Sequence, residues 1–488
     1  MKLATLIKDM ETLETTASHE TDIRGLAYDS RKVSQGDLFV ALRGAHTDGH
    51  AFIPSAFKRG AAAVVCEERA NGPIIRVRDT RDALARLADN FFGRPSETLT
   101  VVGITGTNGK TTTSYIIKSI LERAGEKTGL IGTINYLIGE RALPAPHTTP
   151  EALEFQGLLS EMRASGLTHV VAEVSSHALA QKRADYTRFK YAVFTNLTRE
   201  HLDFHGTMED YYLAKKRLFH ELLEGTAVIN TDDPYGRRLL EGLRAPAISG
   251  LTAPALTYGL ADAGLTASDI RESASGISFT LNYKGQRYGI ESPLLGIPNV
   301  YNILASLATA VAMGMPLDVA VEAVGQRGPV AGRFERVSLG QDFLLILDYA
   351  HTEDALRRLI QTVKGFTKGR VITVFGCGGD RDRGKRPQMG AVAGELSDLV
   401  FVTSDNPRSE EPLEIIREIT EGMNGKNYHV VPERRQAVRA AIMEAKAGDA
   451  VLVAGKGHED YQEIKGERRP FSDRVEAEKA IKEKLCLS

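Results

Sequence analysis

The chain has 488 residues, 42% hydrophobic and 25% charged, with a net charge of −2 from 61 basic and 63 acidic residues. That balance excludes wholesale disorder and supplies apolar material for several cores, about three domains at roughly 150 residues each. It also speaks against a dedicated nucleic-acid or anionic-membrane binder, which would be more basic, but leaves room for a local anion pocket.

The first residues, MKLATLIKDMETLE, mix acids into apolar positions and lack the apolar centre of a secretory leader. GDLFVAL (36–42) and GAAAVVCEE (60–68) read as strands, the second after a short helix. FGRP (92–95) punctuates the chain and marks a first boundary. LTVVGIT (99–105) suits a buried parallel strand and is followed by a helical pattern of Ile116, Ile117, Ile120 and Leu121, with Gly125 as its C-terminal stop. THVVAEV, YAVFTNL and GTAVIN continue a strand–helix alternation that argues for an α/β domain with a mainly parallel sheet. Residues 255–292 read as a β-meander, and an alanine-rich helix follows at 302–313. RGPVAGR (327–333) marks a second boundary. Beyond it FLLILDYA, VITVFGCGG, LVFVTSD and AVLVAG restart the alternation as a second doubly wound domain, with polar clusters at the strand ends. Cys66, Cys377 and Cys486 are too scattered for a disulfide framework or a zinc site and read as idle thiols in a reducing compartment. No apolar run approaches the roughly 18 residues of a membrane span, so the expectation is a cytoplasmic protein.

The clearest chemistry lies at Gly106-Thr107-Asn108-Gly109-Lys110-Thr111. A buried strand enters it and a helix leaves it, the context a phosphate loop requires. Glycines let backbone N–H groups approach phosphate oxygens, and the helix N-terminus adds partial positive charge. Lys110 is placed to reach β/γ-phosphates and the Thr111 hydroxyl to bind Mg²⁺. Ile104 stands where the common phosphate loop begins with glycine.

TGTNGKTTT, with the segments DSR (29–31), HTTP (147–150), EVSSHAL (173–179), NLTREHLDFHG (196–206), YLAKKRLF (212–219), NVYN (299–302), GRFE (332–335), DYAHTED (348–354), FGCGGDRDRGKRP (375–387), SDNPRSEEP (404–412) and AGKGHE (454–459), resembles the Mur ligase family of ATP-dependent amide ligases nearly end to end. Pro298 and Glu353 depart from the family pattern, which usually has an aromatic residue and a proline there.

The resemblance implies an α/β protein of three domains. These are a small N-terminal domain for a UDP-linked substrate (1–97), a central phosphate-loop ATPase-like domain with a parallel sheet (98–332) and a C-terminal Rossmann-like amino-acid domain (333–488). It implies ATP as co-substrate and Mg²⁺ held by Thr111, Glu173, His201 and a carbamylated Lys215, with Lys110, Glu173, His201 and Lys215 as the catalytic set. A carbamate reverses the charge of the lysine and supplies oxygen ligands suited to magnesium. For ATP it implies Gly106, Thr107, Asn108, Gly109, Lys110, Thr111, Thr112, Asn299, Asn302, Arg333, Asp348 and His351, with Lys385 closing over them. For the UDP-sugar peptide it implies Tyr28, Ser30, Ala45, His46 and Thr47 in the first domain and His147, Thr148, Thr149, Ser175, Gln181 and Arg183 in the second.

Asp405, Asn406, Pro407 and Arg408 form the motif that separates amino-acid substrates within the family. DNPR resembles the diaminopimelate-adding members, since an arginine fork binds the second carboxylate that lysine lacks. Arg381, Gly455 and Glu459 complete the implied diaminopimelate contacts, Glu459 taking the distal ammonium. The reaction implied is ATP-dependent addition of meso-diaminopimelate to UDP-N-acetylmuramoyl-L-alanyl-D-glutamate, in peptidoglycan precursor synthesis, by a monomer with small-molecule partners. A folylpolyglutamate-synthase-like ligase, disfavoured by DSR and DNPR, and a nucleotide-dependent switch, disfavoured by the second doubly wound domain, are the alternatives.

Overall fold

The computed structural model describes residues 1–44, 47–244, 254–425 and 427–486, so the expected ligand residues Ala45 and His46 lie outside the described residues. Three large sheets organise it, beside a two-stranded antiparallel ribbon of Tyr461–Ile464 and Glu467–Pro470. In each large sheet, alternate residues of the central strands feed two different cores, which is what a sheet covered on both faces requires.

The N-terminal sheet has five strands, Leu38–Val40 and Ala63–Cys66 among them. Leu38, Val40, Ala63 and Val65 pack beneath the helix Thr80–Phe91, while Phe39, Val64 and Cys66 pack on the other face with Ile53 and Ala56 of the helix Ile53–Lys58. Asp79 caps the helix Thr80–Phe91, accepting from the backbone N–H groups of Arg81 and Asp82.

The central sheet has eleven strands. Its parallel centre runs Leu223–Asn230, Phe189–Phe194, Thr100–Thr105, His169–Glu173 and Thr128–Ile131. Val102, Ile104, Val171 and Val193 face the helices Lys110–Arg123 and Ile297–Ala312; Val101, Val170, Ala172 and Ala192 face the opposite core. The expected meander forms only from its second strand onward. Ala255–Gly259 instead pairs parallel to Leu223–Asn230, because the helix Pro234–Arg244 lies between them and carries the chain back to the same end of the sheet. Leu265–Ser273, Gly276–Tyr283 and Gln286–Ser292 are antiparallel neighbours.

The C-terminal sheet has six strands, parallel from Leu344–Asp348 through Ala450–Ala454, Val371–Phe375 and Leu399–Val402 to Tyr428–Val430. Ile346, Phe375, Val400 and Leu452 pack with the helices Glu353–Phe366, Lys385–Leu396 and Pro412–Thr420 on one face; Leu345, Ile372, Phe401 and Val451 pack with Arg434–Glu444 and Asp473–Lys484 on the other. Cys66 and Cys377 are buried free thiols and Cys486 is exposed. Among the described residues no helix is long and apolar enough to cross a membrane.

Polar contacts join the three units. Lys182 reaches Asp79 and Asp82 at 3.0 Å each, and Tyr28 donates to Glu154 at 2.9 Å, linking the N-terminal and central sheets. Glu200 meets His351 at 3.1 Å, and Arg333 reaches the Thr111 hydroxyl at 3.4 Å, linking central and C-terminal parts. The carboxyl ends of the central and C-terminal strands supply both sides of the resulting cleft.

Candidate active site

The phosphate loop is held by its neighbours rather than by its own turn. Thr195 Oγ1 donates to the Asn108 carbonyl at 2.7 Å, and Asn196 Oδ1 accepts from the Asn108 N–H at 2.9 Å. Gly106 has φ +152°, and a Cβ there would lie 1.8 Å from Thr195 Oγ1, so only glycine fits. The helix Lys110–Arg123 starts after Gly109 with no side-chain cap, leaving its first N–H groups for an anion. Lys110 Nζ donates to the carbonyls of Gly106 and Thr107, both at 2.9 Å. Burial pulls this ammonium below its ordinary range, against the pull of Glu200 and Glu173.

Beside the loop, Glu173 is fully buried at the end of its strand. It accepts from the Thr111 hydroxyl at 3.0 Å, the Thr133 hydroxyl at 2.9 Å and the Thr133 N–H at 3.0 Å. Below the loop, Lys215 donates to the Gly106 carbonyl at 2.9 Å, the same oxygen that Lys110 uses. Lys215 is 2% exposed, and among the described residues its Nζ is hydrogen-bonded to Thr105 Oγ1 and the Gly106 carbonyl and to no carboxylate. Burial first, then Lys110, drives its proton affinity well below that of a free lysine. An uncharged buried amine is the form that adds CO₂.

Two cavities open on this frame. The first, about 260 Å³, is lined by Thr107, Asn108, Gly109, Lys110, Thr111 and Thr112 on one side, Asn299 and Asn302 on another, and Arg333, Asp348 and His351 from across the boundary. The second, about 650 Å³, is lined by His147, Thr148, Thr149, Ser175 and Arg183 at one end and by Arg381, Asp405, Asn406, Arg408, Gly455 and Glu459 at the other. Thr148, Glu200, His201, Tyr349 and His351 belong to both walls.

Within the first cavity, Asn302 donates to Asn299 Oδ1 at 2.9 Å, and Asn299 donates to the Leu295 carbonyl at 2.8 Å. Asp348 accepts from the N–H groups of Phe334 and Ala350, each at 2.7 Å. Burial raises its carboxyl above the usual range, with Arg333 opposing. Arg333 lies 4.5 Å over the Tyr349 ring, and its Nε is buried with no hydrogen-bond partner among the described residues. Pro298 lines this wall, and Glu353 opens the helix Glu353–Phe366 after the Thr352 cap, where an acid suits the dipole. Lys385 donates to the His351 carbonyl at 2.9 Å.

Between the cavities, Glu200 accepts from or shares a proton with His351 Nε2 at 3.1 Å and stands 3.5 Å from His201 Nε2. Burial alone would raise its carboxyl, but the hydrogen bond with His351 and the Lys110 charge oppose this and hold it well below the usual carboxylate range. Burial lowers His201 to about 4, so its ring is neutral at physiological pH. His201 has φ +57° and Arg408 φ +50°, left-handed conformations unusual for such residues and found where a site over-determines the backbone.

At the acceptor end, Thr149 donates to the Glu173 carbonyl at 2.8 Å and accepts from the Ser175 N–H at 3.0 Å. Arg183 pairs with Glu151 at 2.9 Å and reaches Gln181 at 2.5 Å. Tyr28, Ser30, Thr47 and Gln181 lie outside both cavity walls. At the far end Arg408 Nη1 donates to the Gly379 carbonyl at 2.5 Å and its Nε stands 3.8 Å from Glu463. Pro407 turns the chain but lines neither cavity. Sequence reasoning gave no role to Glu200, Thr133, Tyr349 or Lys456; only their positions just past strands hinted at one.

The donors fit the groups implied for them. Unpaired Arg333 Nε and the uncapped helix suit a polyphosphate. Thr111 and Glu173 oxygens suit Mg²⁺, although no group of three or more His, Cys, Asp and Glu among the described residues is gathered to hold a metal. A carbamate on Lys215 would supply the missing oxygens.

Residues 104–310 match the Mur ligase middle domain, residues 332–457 the Mur ligase glutamate ligase domain, and residues 22–92 the Mur ligase family catalytic domain. The chain belongs to the Mur ligase family. It is 48% identical over 477 residues to a UDP-N-acetylmuramoyl-L-alanyl-D-glutamate–2,6-diaminopimelate ligase from Solibacter usitatus, covering 95% of this chain and 94% of that one. The enzyme of that name from Geobacter sulfurreducens is 46% identical, with 98% of each chain covered. A solved structure under the same name superposes with a TM-score of 0.71 at 34% identity over 99% of both chains. A MurF ligase from Thermotoga maritima in complex with ADP shares the fold, with a TM-score of 0.66 at 22% identity over 96% of this chain and 99% of that one. This Mur ligase thus has the family's α/β architecture of N-terminal, middle and C-terminal units.

Proposed function

We propose that the chain adds meso-diaminopimelate to UDP-N-acetylmuramoyl-L-alanyl-D-glutamate at the expense of ATP, a step of cytoplasmic peptidoglycan precursor synthesis, as a monomer. Its near full-length likeness to ligases of that name supports the reading. The observation that carries the mechanism is the shared wall: Glu200, His201 and His351 stand between a cavity on the phosphate loop and a larger one that ends at Arg408.

Units 1–97, 98–332 and 333–488 then hold the UDP moiety, ATP and the amino acid in turn. The family uses ATP. Its triphosphate lies along residues 106–112, with Arg333 meeting it from across the boundary. The acceptor carboxylate enters past Thr148, Ser175 and Arg183. One carboxylate oxygen bonds to the γ-phosphorus and the bond to ADP breaks, giving an acyl phosphate. The amine of diaminopimelate then bonds to the acyl carbon, inorganic phosphate leaves, and the amine's proton is released. Thr111, Glu173, His201 and carbamylated Lys215 would hold Mg²⁺, which offsets the negative charge gathered as the two substrates meet. Neutral His201 is available as a ligand without losing a proton. Arg408 and Arg381 pair the carboxylates of diaminopimelate, and Glu459 its distal ammonium.

The test is product mass. With ATP and the UDP-linked dipeptide, diaminopimelate should yield the tripeptide with one ADP and one phosphate per amide, and lysine should yield little. Equal turnover of lysine would overturn the substrate reading.

A further inference from the structure

Beneath the amino-acid end of the larger cavity lies Lys456, with a side-chain exposure of 0%. It follows the strand Ala450–Ala454 and sits between Gly455 and Glu459, which line the cavity while Lys456 does not. Its Nζ donates to Asn406 Oδ1 and to Glu459 Oε2, both at 3.0 Å. The Glu463 N–H donates to the same Asn406 oxygen at 3.0 Å. With two donors on Oδ1, the amide has one orientation, and its Nδ2 donates to Glu459 Oε2 at 2.8 Å. Glu459 Oε2 is therefore engaged twice. Oε1 is left with the Tyr349 hydroxyl at 3.5 Å, the edge of hydrogen-bonding range.

We propose that Lys456 is a positioning residue that selects amino acids bearing a second ammonium group, by fixing Glu459 and Asn406 so that Glu459 Oε1 points at that group. The inference rests on diaminopimelate being the substrate. Lys456 touches no substrate atom; it acts through the two side chains above it. An apolar side chain in its place takes the charge-assisted donor from a part-buried carboxylate oxygen and frees Asn406 to turn its amide over. A flipped amide aims different atoms at the ligand and removes the oriented acceptor.

Steady-state kinetics of the full chain test this with diaminopimelate and with 2-aminopimelate, which keeps both carboxylates but lacks the second amine. The wild type should prefer diaminopimelate. Lys456→Met should raise the KM for diaminopimelate by about tenfold or more, leave the KM values for ATP and the UDP-linked dipeptide within about twofold, and erase the preference over 2-aminopimelate. Lys456→Arg should restore most of the preference. In a Glu459→Gln background, Lys456→Met should add almost nothing, since the partner through which it acts is already gone. If the methionine variant does not fold, Lys456→Gln gives the same readout. Retained preference in the variant, a parallel rise in all three KM values, or effects that multiply across the double variant would each overturn the proposal. A wild type that does not turn over diaminopimelate would instead sink the substrate reading, so the two failures are distinct.

Discussion

Lys215 shows how a single side chain can announce a role through its surroundings. A charged lysine this deep would sit beside a second lysine on one shared carbonyl, with no carboxylate paired to it among the described residues. Lys215→Ala should therefore keep its fold, with an unchanged or higher Tm, yet lose kcat by about a hundredfold or more, since it removes charge stabilisation from the reaction. An unchanged kcat would remove the carbamate from the account. At Arg408 the expectation is about specificity. Arg408→Ala should lower kcat/KM for diaminopimelate by about a hundredfold while lysine turnover changes little. His458 offers a pH test. Burial, then Arg333 and Lys456, hold its ring at about 4, below the unfolded value near 6.5. The unfolded chain thus takes up a proton that the native ring refuses, so this stability is complete above pH 6.5 and declines as pH falls toward 4. Urea midpoints at pH 7.5 and pH 5 should differ less for His458→Asn than for the wild type. Residues such as Lys110 and Thr111 were legible because their spacing is local. Glu200, Thr133 and Lys456 were not, since the role of each depends on a partner far along the chain, His351, Glu173 and Asn406 in turn.

Among the elements, the phosphate loop and the last two helices make opposite demands. The loop requires the absence of a side chain. Gly106→Ala would place its Cβ 1.8 Å from Thr195 Oγ1, and ATP binding measured by calorimetry should weaken by about tenfold or more with the far-ultraviolet spectrum unchanged. Helices Arg434–Glu444 and Asp473–Lys484 depend on a buried pair, Arg434 Nε to Asp473 Oδ1 at 2.7 Å, with exposures of 0% and 1%. Asp473→Asn should cost about 3–5 kcal/mol by leaving a buried guanidinium uncompensated, read as a lower denaturant midpoint. Runs such as VITVF and AVLVA were readable as buried parallel strands because β-branched residues fill both faces. The direction of Ala255–Gly259 was not, because it is set by the helix before it and not by its own five residues.

On the scale of the whole molecule, the central and C-terminal sheets converge on one cleft, and the N-terminal sheet joins the central one through Lys182 and Tyr28. Glu200 to His351, Arg333 to Thr111 and Asn108 to Asp354 at 3.5 Å cross between the central and C-terminal strand ends, while Arg336 reaches the Ala274 carbonyl and Leu295 packs into the C-terminal core. Contacts this sparse suit a joint that opens to admit ligands and closes to exclude water. The central and C-terminal doubly covered sheets could be read from strand–helix alternation, whereas their mutual placement rests on single residues that no periodicity marks. The most direct test of the convergence is a crystal structure with a non-hydrolysable ATP analogue and the UDP-linked dipeptide bound. The γ-phosphate should lie between Lys110 and Arg333, facing the dipeptide carboxylate beside Glu200 and His201. A triphosphate bound away from that crevice, or a carboxylate beyond reach of it, would rule out the shared cleft as the site of acyl-phosphate formation.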